Sequence, residues 1–346
     1  MIMRRTLAAP DGWPPAIQVA SLLLESQLVT PAGTVSSAEV LSVRDWSVVY
    51  GVRLEGAGHT SDVVVKSIRE PHHRAPGEGA NHQVRSLLEL RTLELARSVG
   101  ISMPRPIGVL PMLGAIVMER VSDRPLLKKR SEAERRAVLH EAGRRCRDWH
   151  RIEEIPRGAD YRDGPGVLRA LATCADAIDD SPMGPAWRPW WDDVFSELAR
   201  RSSADRTVVP THGDLHAGNV WIADDGGPMF VDGAITLAHP VADVAQLAAN
   251  LRCQKVAVAW GSPPGLRQQA TQRVDALLSG FGPHNAAIFA LHELHGIVEH
   301  WDEVRKGLPA RGATPLTRIG RSYIDRSFGN EVQRWFERYA SVILPD

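Results

Sequence analysis

"THGDLHAGNVW", Thr211 to Trp221, packs one aspartate, two histidines, an asparagine and two glycines into eleven residues, and the apolar run "VWI" begins inside its end. A surface turn accounts for the glycines. It does not account for Asp214 and Asn219 held five residues apart, or for the strand that follows at once. Further on, "MFVDG" repeats the arrangement, a short apolar strand ending on Asp232, thirteen residues after Asn219.

Oxygen-bearing side chains at these intervals suit phosphoryl transfer from a nucleotide. That reaction needs the triphosphate charge neutralised, magnesium held by hard oxygen ligands, and a hydroxyl oriented in line with the γ-phosphate. An aspartate such as Asp214 positions the hydroxyl or accepts its proton. An asparagine (Asn219) and a second aspartate (Asp232) supply oxygens to the metal. A lysine and a helical glutamate that fixes it complete the set, and both stand upstream in the required order. Lys66, the only lysine before residue 122, ends a valine run in "VVVKSI", and Glu89 lies in the next helical stretch. Glu94 shares that stretch; the distance to "MPRP" favours Glu89. The Asp214–Asn219–Asp232 spacing matches the catalytic loop and metal-binding aspartate of kinases.

"HGDLHAGN", followed by "FVDGAITLAHPVADVAQLAANL", resembles the aminoglycoside phosphotransferase family of kinase-like enzymes. "MPRPIG", "IVMERV" and "DWH" resemble that family's pre-hinge, hinge and pre-loop segments, so the likeness runs from about Arg44 to Leu251. It implies an α+β, bilobal protein-kinase-like fold: a small N-terminal lobe with an antiparallel sheet and helix, residues 1–121, and a mainly helical catalytic and substrate lobe, residues 122–346. It implies Mg2+, ATP or GTP as co-substrate, and a small hydroxyl-bearing acceptor such as an aminoglycoside, another antibiotic, a sugar or an amino-alcohol. Glu119 and Val121 of the hinge segment would contact the nucleotide, and so would Ser47. His212 would support the loop. His216 either touches the transferred phosphate or faces solvent. Asp243 either reaches back to the loop, as the resemblance implies, or caps the helix that begins there.

The sequence also departs from that pattern. A glycine- and serine-bearing phosphate loop is replaced by "RDWSVVYG", which offers fewer free backbone N–H groups, and Asp232 precedes Gly233 rather than an aromatic residue. A nucleotide-binding pseudokinase acting as a scaffold is the main alternative, against which the intact Lys66, Asp214, Asn219 and Asp232 set speaks. A protein kinase is the other, and no A-P-E segment follows Asp232.

Working outward, "AIQVASLLLESQL" (16–28) has helical spacing, and "SVVYGVRLEG" and "VVVKSI" read as a hairpin. "QVRSLLELRTLELARS" (83–98) is helical, with Val84, Leu87, Leu88, Leu95 and Val99 available for one buried face and Gly100 at its C-terminal cap. Two short strands flank residues 111–114. Beyond Ser122 helices dominate, and Ser131 with Glu134 forms a capping box. "HELHGIVEH" (292–300) hints at zinc, but Gly296 follows His295, and a polar wall or a solvated face is the better reading. Asp176, Asp179, Asp180, Asp192, Asp193 and Glu197, with Trp187, Trp190 and Trp191, either line a pocket or form a solvated flank.

Bulk properties agree with this picture. The 346 residues carry 41 basic and 41 acidic side chains, which gives no reason to expect nucleic acid or an anionic membrane as partner. Three separated cysteines, Cys146, Cys174 and Cys253, form no disulfide framework or metal spacing. No signal peptide and no membrane span is evident. A cytoplasmic protein, monomeric or homodimeric, is expected.

Overall fold

The computed structural model describes residues 8–29, 34–44, 47–56, 59–68, 82–121, 125–126, 131–156, 160–162, 164–179, 184–253, 264–306 and 315–344. The chain divides into two compact units. The first comprises Met1–Asp123, Pro156–Gly158 and Met229–Ala234; the second comprises Arg124–Ile155, Ala159–Pro228 and Ile235–Asp346. The sequence suggested a single cut after residue 121. Met229–Ala234, which carries Asp232, instead packs with the first unit.

The first unit opens with helix α1 (Ala16–Glu25), then strands β1 (Thr34–Arg44), β2 (Ser47–Gly56) and β3 (His59–Ile68). Helix α2 (His82–Ser98) and strands β4 (Pro106–Leu110) and β5 (Ala115–Glu119) follow. The strands form one antiparallel sheet in the order β1-β2-β3-β5-β4. Strand β1 is not announced by the sequence, because "TVSSAEVLSVR" is an edge strand of mostly polar residues whose one buried position is Val40. In β2 and β3 the two-residue alternation is clear. Tyr50, Val52, Val63 and Val65 are buried with Val19 and Leu23 of α1 in one apolar cluster. Lys66 falls on the opposite face of the central strand, opposite Val49 of β2 and Ile116 of β5.

Helix α2 ends as its sequence suggests. Gly100 adopts φ +85°, and the N–H groups of Gly100 and Ile101 donate to the carbonyls of Arg97 and Ala96. Its buried face differs from the expected one. Leu87 is exposed, while Ser86, Thr92, Leu93, Leu95 and Ala96 are buried. The Ser86 hydroxyl donates to the Gly114 carbonyl at 2.6 Å, so a polar anchor in the sheet sets the helix rotation. The side chain of Val84 lies outside the described residues.

The second unit is built from α3 (Glu132–Cys146), β6 (Asp160–Arg162), α4 (Gly164–Asp179), α5 (Gly184–Ala204), β7 (Val209–Thr211) and β8 (Val220–Ile222). After β9 (Pro228–Phe230) come β10 (Thr236–Ala238), α6 (Ala242–Cys253), α7 (Pro264–Phe281), α8 (Ala286–Lys306) and α9 (Pro315–Ile343). Strands β6, β10 and β7 make a small mixed sheet. The capping box at Ser131 and Glu134 is formed. Glycines let the helices touch: a Cβ on Gly143 would overlap the Leu277 carbonyl, and one on Gly280 would overlap the His140 carbonyl. The α8–α9 contact is aromatic, with Trp301 stacked on Phe328 at 5.9 Å and its indole N–H donating to Asp325. Among the described residues, no helix is long and apolar enough to cross a membrane.

Candidate active site

In the first unit, Lys66, Glu89 and Asp232 meet. The Lys66 ammonium lies 2.8 Å from Glu89 Oε1 and 3.2 Å from Asp232 Oδ1. Glu94 instead pairs with Arg91 on the exposed side of α2. Burial works against the Lys66 charge, but the Glu89 and Asp232 carboxylates outweigh it and hold the ammonium above its ordinary pKa. Lys66 therefore stays cationic throughout the neutral range.

Asp232 reaches this position by local backbone geometry. Phe230 is fully buried, and its N–H donates to the Ser102 carbonyl at 2.9 Å. Two residues later Asp232 adopts φ +58°, a left-handed conformation that aspartate tolerates better than most side chains. Residue 233 is a glycine, so no bulky neighbour opposes that turn.

The other nucleotide positions implied by the resemblance lie in the same unit but make no such cluster. Ser47 begins β2, buried and opposite Ile68. The adjoining Asp45 and Trp46 lie outside the described residues. Glu119 ends β5 with its carboxylate 3.3 Å from Arg105, and Val121 follows it, partly buried.

In the second unit, the loop from His212 to Asn219 links β7 to β8. Gly213 takes φ +84°, which explains a glycine between His212 and Asp214. The Asp214 carboxylate is half exposed. The Asn219 amide NH2 donates to the Asp214 carbonyl at 2.9 Å, an assignment fixed because two oxygens would repel there. That bond leaves Asn219 Oδ1 as the amide atom directed elsewhere.

His212 is fully buried, edge-on to Trp149 at 5.3 Å, and its Nδ1 accepts the Asp214 N–H at 3.3 Å. His216 turns back on its own loop: Nδ1 accepts the Gly218 N–H at 3.0 Å, and Nε2 lies 4.0 Å from Asp214 Oδ2. Asp243 is buried and accepts the N–H groups of His212 and Gly213, the latter at 3.0 Å. Burial pushes the Asp243 carboxyl up, against the opposing pull of His212 and these two donors.

Two further contacts have no counterpart in the sequence reading. Gln246 Oε1 accepts the Leu215 N–H at 3.2 Å, and Asn250 Oδ1 accepts the Ala217 N–H at 3.1 Å. Their signal lies in plain view as the polar residues three and seven places after Asp243 in a stretch that is otherwise apolar from Val244 to Leu251.

An amide oxygen and carboxylate oxygens are the hard donors that Mg2+ takes, so the chemistry of Asn219 and Asp232 fits that ion. Elsewhere, Glu293 of "HELHGIVEH" is fully buried and pairs with Arg252 and Arg338 at 2.7 and 3.2 Å. His292 is buried, its ring 5.8 Å from that of His239, and His295 lies 3.8 Å from Glu299. In the acidic stretch, Glu197 is bound by Arg200 and Arg201 of the next turn, and Trp191 packs on Phe195 at 6.0 Å. Asp192 and Asp193 are exposed. The side chains of Asp176, Asp179, Trp187 and Trp190, together with Asp180, lie outside the described residues. Cys146 and Cys253 are buried free thiols.

A model of the phosphotransferase enzyme family, APH, matches residues 45–289. No curated protein matches the chain. Among solved structures, spectinomycin phosphotransferase APH(9)-Ia in complex with ADP and spectinomycin is similar at 14% identity and a TM-score of 0.55, covering 93% of this chain and 98% of that one. Choline kinase LicA from Streptococcus pneumoniae is similar at 13% identity and TM-score 0.54, covering 91% and 99%. A glucosamine kinase is similar at 16% identity and TM-score 0.56, covering 94% and 86%. At such identities the likeness speaks for the fold, which is α+β and protein-kinase-like.

Proposed function

This chain belongs to the phosphotransferase enzyme family, and from that premise we propose that it moves the γ-phosphate of ATP or GTP to a hydroxyl of a small molecule. An aminoglycoside or other antibiotic, a sugar or an amino-alcohol is the acceptor class. The similar structures, named for spectinomycin, choline and glucosamine, support a small acceptor. Residues 1–121, joined by the Asp232 segment, bind the nucleotide, and the helical remainder binds the acceptor.

The observation that carries this reading is the Lys66 ammonium poised between Glu89 and Asp232. Lys66 neutralises the α- and β-phosphates, and Glu89 keeps it extended toward them. Asp214 orients the acceptor hydroxyl and takes its proton as the new O–P bond forms and the bond to the departing nucleoside diphosphate breaks. Asn219 and Asp232 hold Mg2+, which when bound neutralises phosphate charge. His212 and Asp243 fix the loop, while Ser47, Glu119 and Val121 border the nucleotide.

Labelled ATP and GTP, offered with aminoglycosides, macrolides, simple sugars and amino-alcohols, test the proposal. The expected result is transfer to at least one acceptor by the wild-type chain, lowered by about 100-fold or more in Asp214→Ala. Undiminished transfer in that variant rejects the assignment.

A further inference from the structure

The loop between His212 and Asn219 is neither helix nor strand, yet Leu215 is fully buried and Ala217 is 2% exposed. Buried backbone N–H groups need acceptors, and here no ladder supplies them. Helix α6 does. Asp243 accepts from His212 and Gly213, Gln246 accepts from Leu215, and Asn250 accepts from Ala217.

The geometry of the two segments matches. Positions 243, 246 and 250 fall within an arc of about 60° on a helix of 3.6 residues per turn, at axial steps of about 4.5 and 6 Å. Two residues of chain span at most about 6.6 Å, and less where the loop bends. A single helix face can therefore accept from Gly213, Leu215 and Ala217 in turn. The neighbouring positions of α6, Val244, Ala245, Leu247, Ala248, Ala249 and Leu251, are all buried in the apolar interior. Gln246 and Asn250 are only partly buried, and their side-chain oxygens are taken by the loop.

Leu215 and Ala217 are pinned by their N–H groups; Asp214 directly precedes this pair, Asn219 follows it two residues on, and the Asn219 amide reaches back to the Asp214 carbonyl. We propose that Gln246 and Asn250 are positioning residues that set the separation and aim of Asp214 and Asn219. This inference rests on the phosphotransfer reading for its catalytic consequence, though not for the hydrogen bonds themselves. Gly296 of α8 serves the same arrangement. Its Cα lacks a side chain where a Cβ would come 2.8 Å from Ala249 Cβ and 3.6 Å from Gln246 Cα, so α6 is backed directly against α8 at the Gln246 level.

The test compares Gln246→Ala and Asn250→Ala with Gln246→Glu and Asn250→Asp in the full chain. The carboxylate variants keep an oxygen acceptor for the loop N–H; the alanines remove it. Two readouts are taken: residue-specific amide exchange, and kcat and nucleotide KM with an accepted substrate. In the alanine variants, exchange should quicken roughly tenfold at Leu215 or Ala217 respectively. Their kcat should fall about 10- to 100-fold, with a smaller rise in nucleotide KM that reflects the part of Asn219 in holding the metal. The Glu and Asp variants should restore both protection and most of kcat. An amide that acted through its NH2 group would not be rescued by a carboxylate, which has only oxygens to offer. Wild-type exchange at Leu215 and Ala217 in the alanine variants overturns the proposal, and so does quickened exchange with unchanged kcat. Should the alanine variants fail to fold, carboxylate variants that fold but show unprotected Leu215 and Ala217 amides also overturn it. A wild-type chain that phosphorylates no acceptor sinks the phosphotransfer reading and this catalytic role with it, while exchange still reports whether the side chains hold the loop.

Discussion

Lys66 Nζ lies 3.2 Å from Asp232 Oδ1 although 166 residues separate them in sequence. Glu89 holds the same ammonium from the other side at 2.8 Å. Lys66→Met removes the only cation of this trio and leaves two carboxylates facing each other. The variant should lose about 2 kcal/mol of stability, less than a fully buried pair would cost because the Asp232 side chain is 34% exposed. Its kcat/KM for the nucleotide should fall about 100-fold. Denaturant titration and steady-state kinetics check the two effects separately.

Asp243 supports the loop through two N–H groups at once, so Asp243→Ala should be more damaging than loss of either single acceptor. With His212 and Gly213 left unpaired in a buried site, a stability loss of about 2–4 kcal/mol is expected. Thermal unfolding of the variant measures it. A change within about 0.5 kcal/mol would mean that the loop finds other partners.

The close helix contacts in the second unit make a different kind of prediction. Gly143→Ala and Gly280→Ala each drive a methyl into a backbone carbonyl, which cannot swing away as a side chain can. Each should cost upwards of about 2 kcal/mol. Gly296→Ala meets a Cβ rather than a carbonyl, so its stability cost should be smaller, but it presses on α6 beside Gln246 and should lower kcat. Circular dichroism melts and kinetics on the three variants give the order.

Acid should weaken the second unit through its buried histidines. Burial, with His239 and His295 nearby, lowers the His292 pKa to about 3. Burial lowers that of His150 to about 4, against a hydrogen bond involving the Pro240 backbone that favours the charged ring. Both folded values lie below the ordinary histidine value of 6.5. The unfolded chain then binds more protons, so this stability is present above pH 6.5 and is lost as pH falls toward the folded values. Each such histidine costs about 1.4 kcal/mol per pH unit within its window. His292→Leu should therefore lose less stability than wild type between pH 7 and pH 5. Equal losses of unfolding free energy in the two proteins between these pH values, measured by denaturant titration, would contradict this.

Much of this was legible from residue types and intervals. The "VVVKSI" run marks a strand that carries a single lysine, Lys66, and the distance to "MPRP" favours Glu89 over Glu94. Both follow from local periodicity and chain order, which sequence displays directly. The polar edge strand β1 escaped because its pairing with β2 carries no apolar alternation of its own. The rotation of α2 escaped because a serine hydroxyl on the Gly114 carbonyl, rather than a leucine stripe, decides it. The return of Met229–Ala234 to the first unit depends on the Phe230 N–H and the Ser102 carbonyl, a contact between distant backbone atoms that no side-chain pattern announces. Gln246 and Asn250 were visible as residues, but their meaning appears only when the loop lies along the helix. In "HELHGIVEH", the glycine that breaks a zinc pattern turns out to be where α8 meets α6.

In the proposed function, Lys66, Asp214, Asn219 and Asp232 would serve one magnesium–triphosphate complex. A crystal structure with a non-hydrolysable ATP or GTP analogue and Mg2+ tests it most directly. The expected result is Asn219 Oδ1 and an Asp232 carboxylate oxygen both within about 2.1 Å of bound Mg2+, with Lys66 on the α- and β-phosphates and Asp214 facing the γ-phosphate. A nucleotide held without Lys66, or a metal ligated by neither Asn219 nor Asp232, would contradict it.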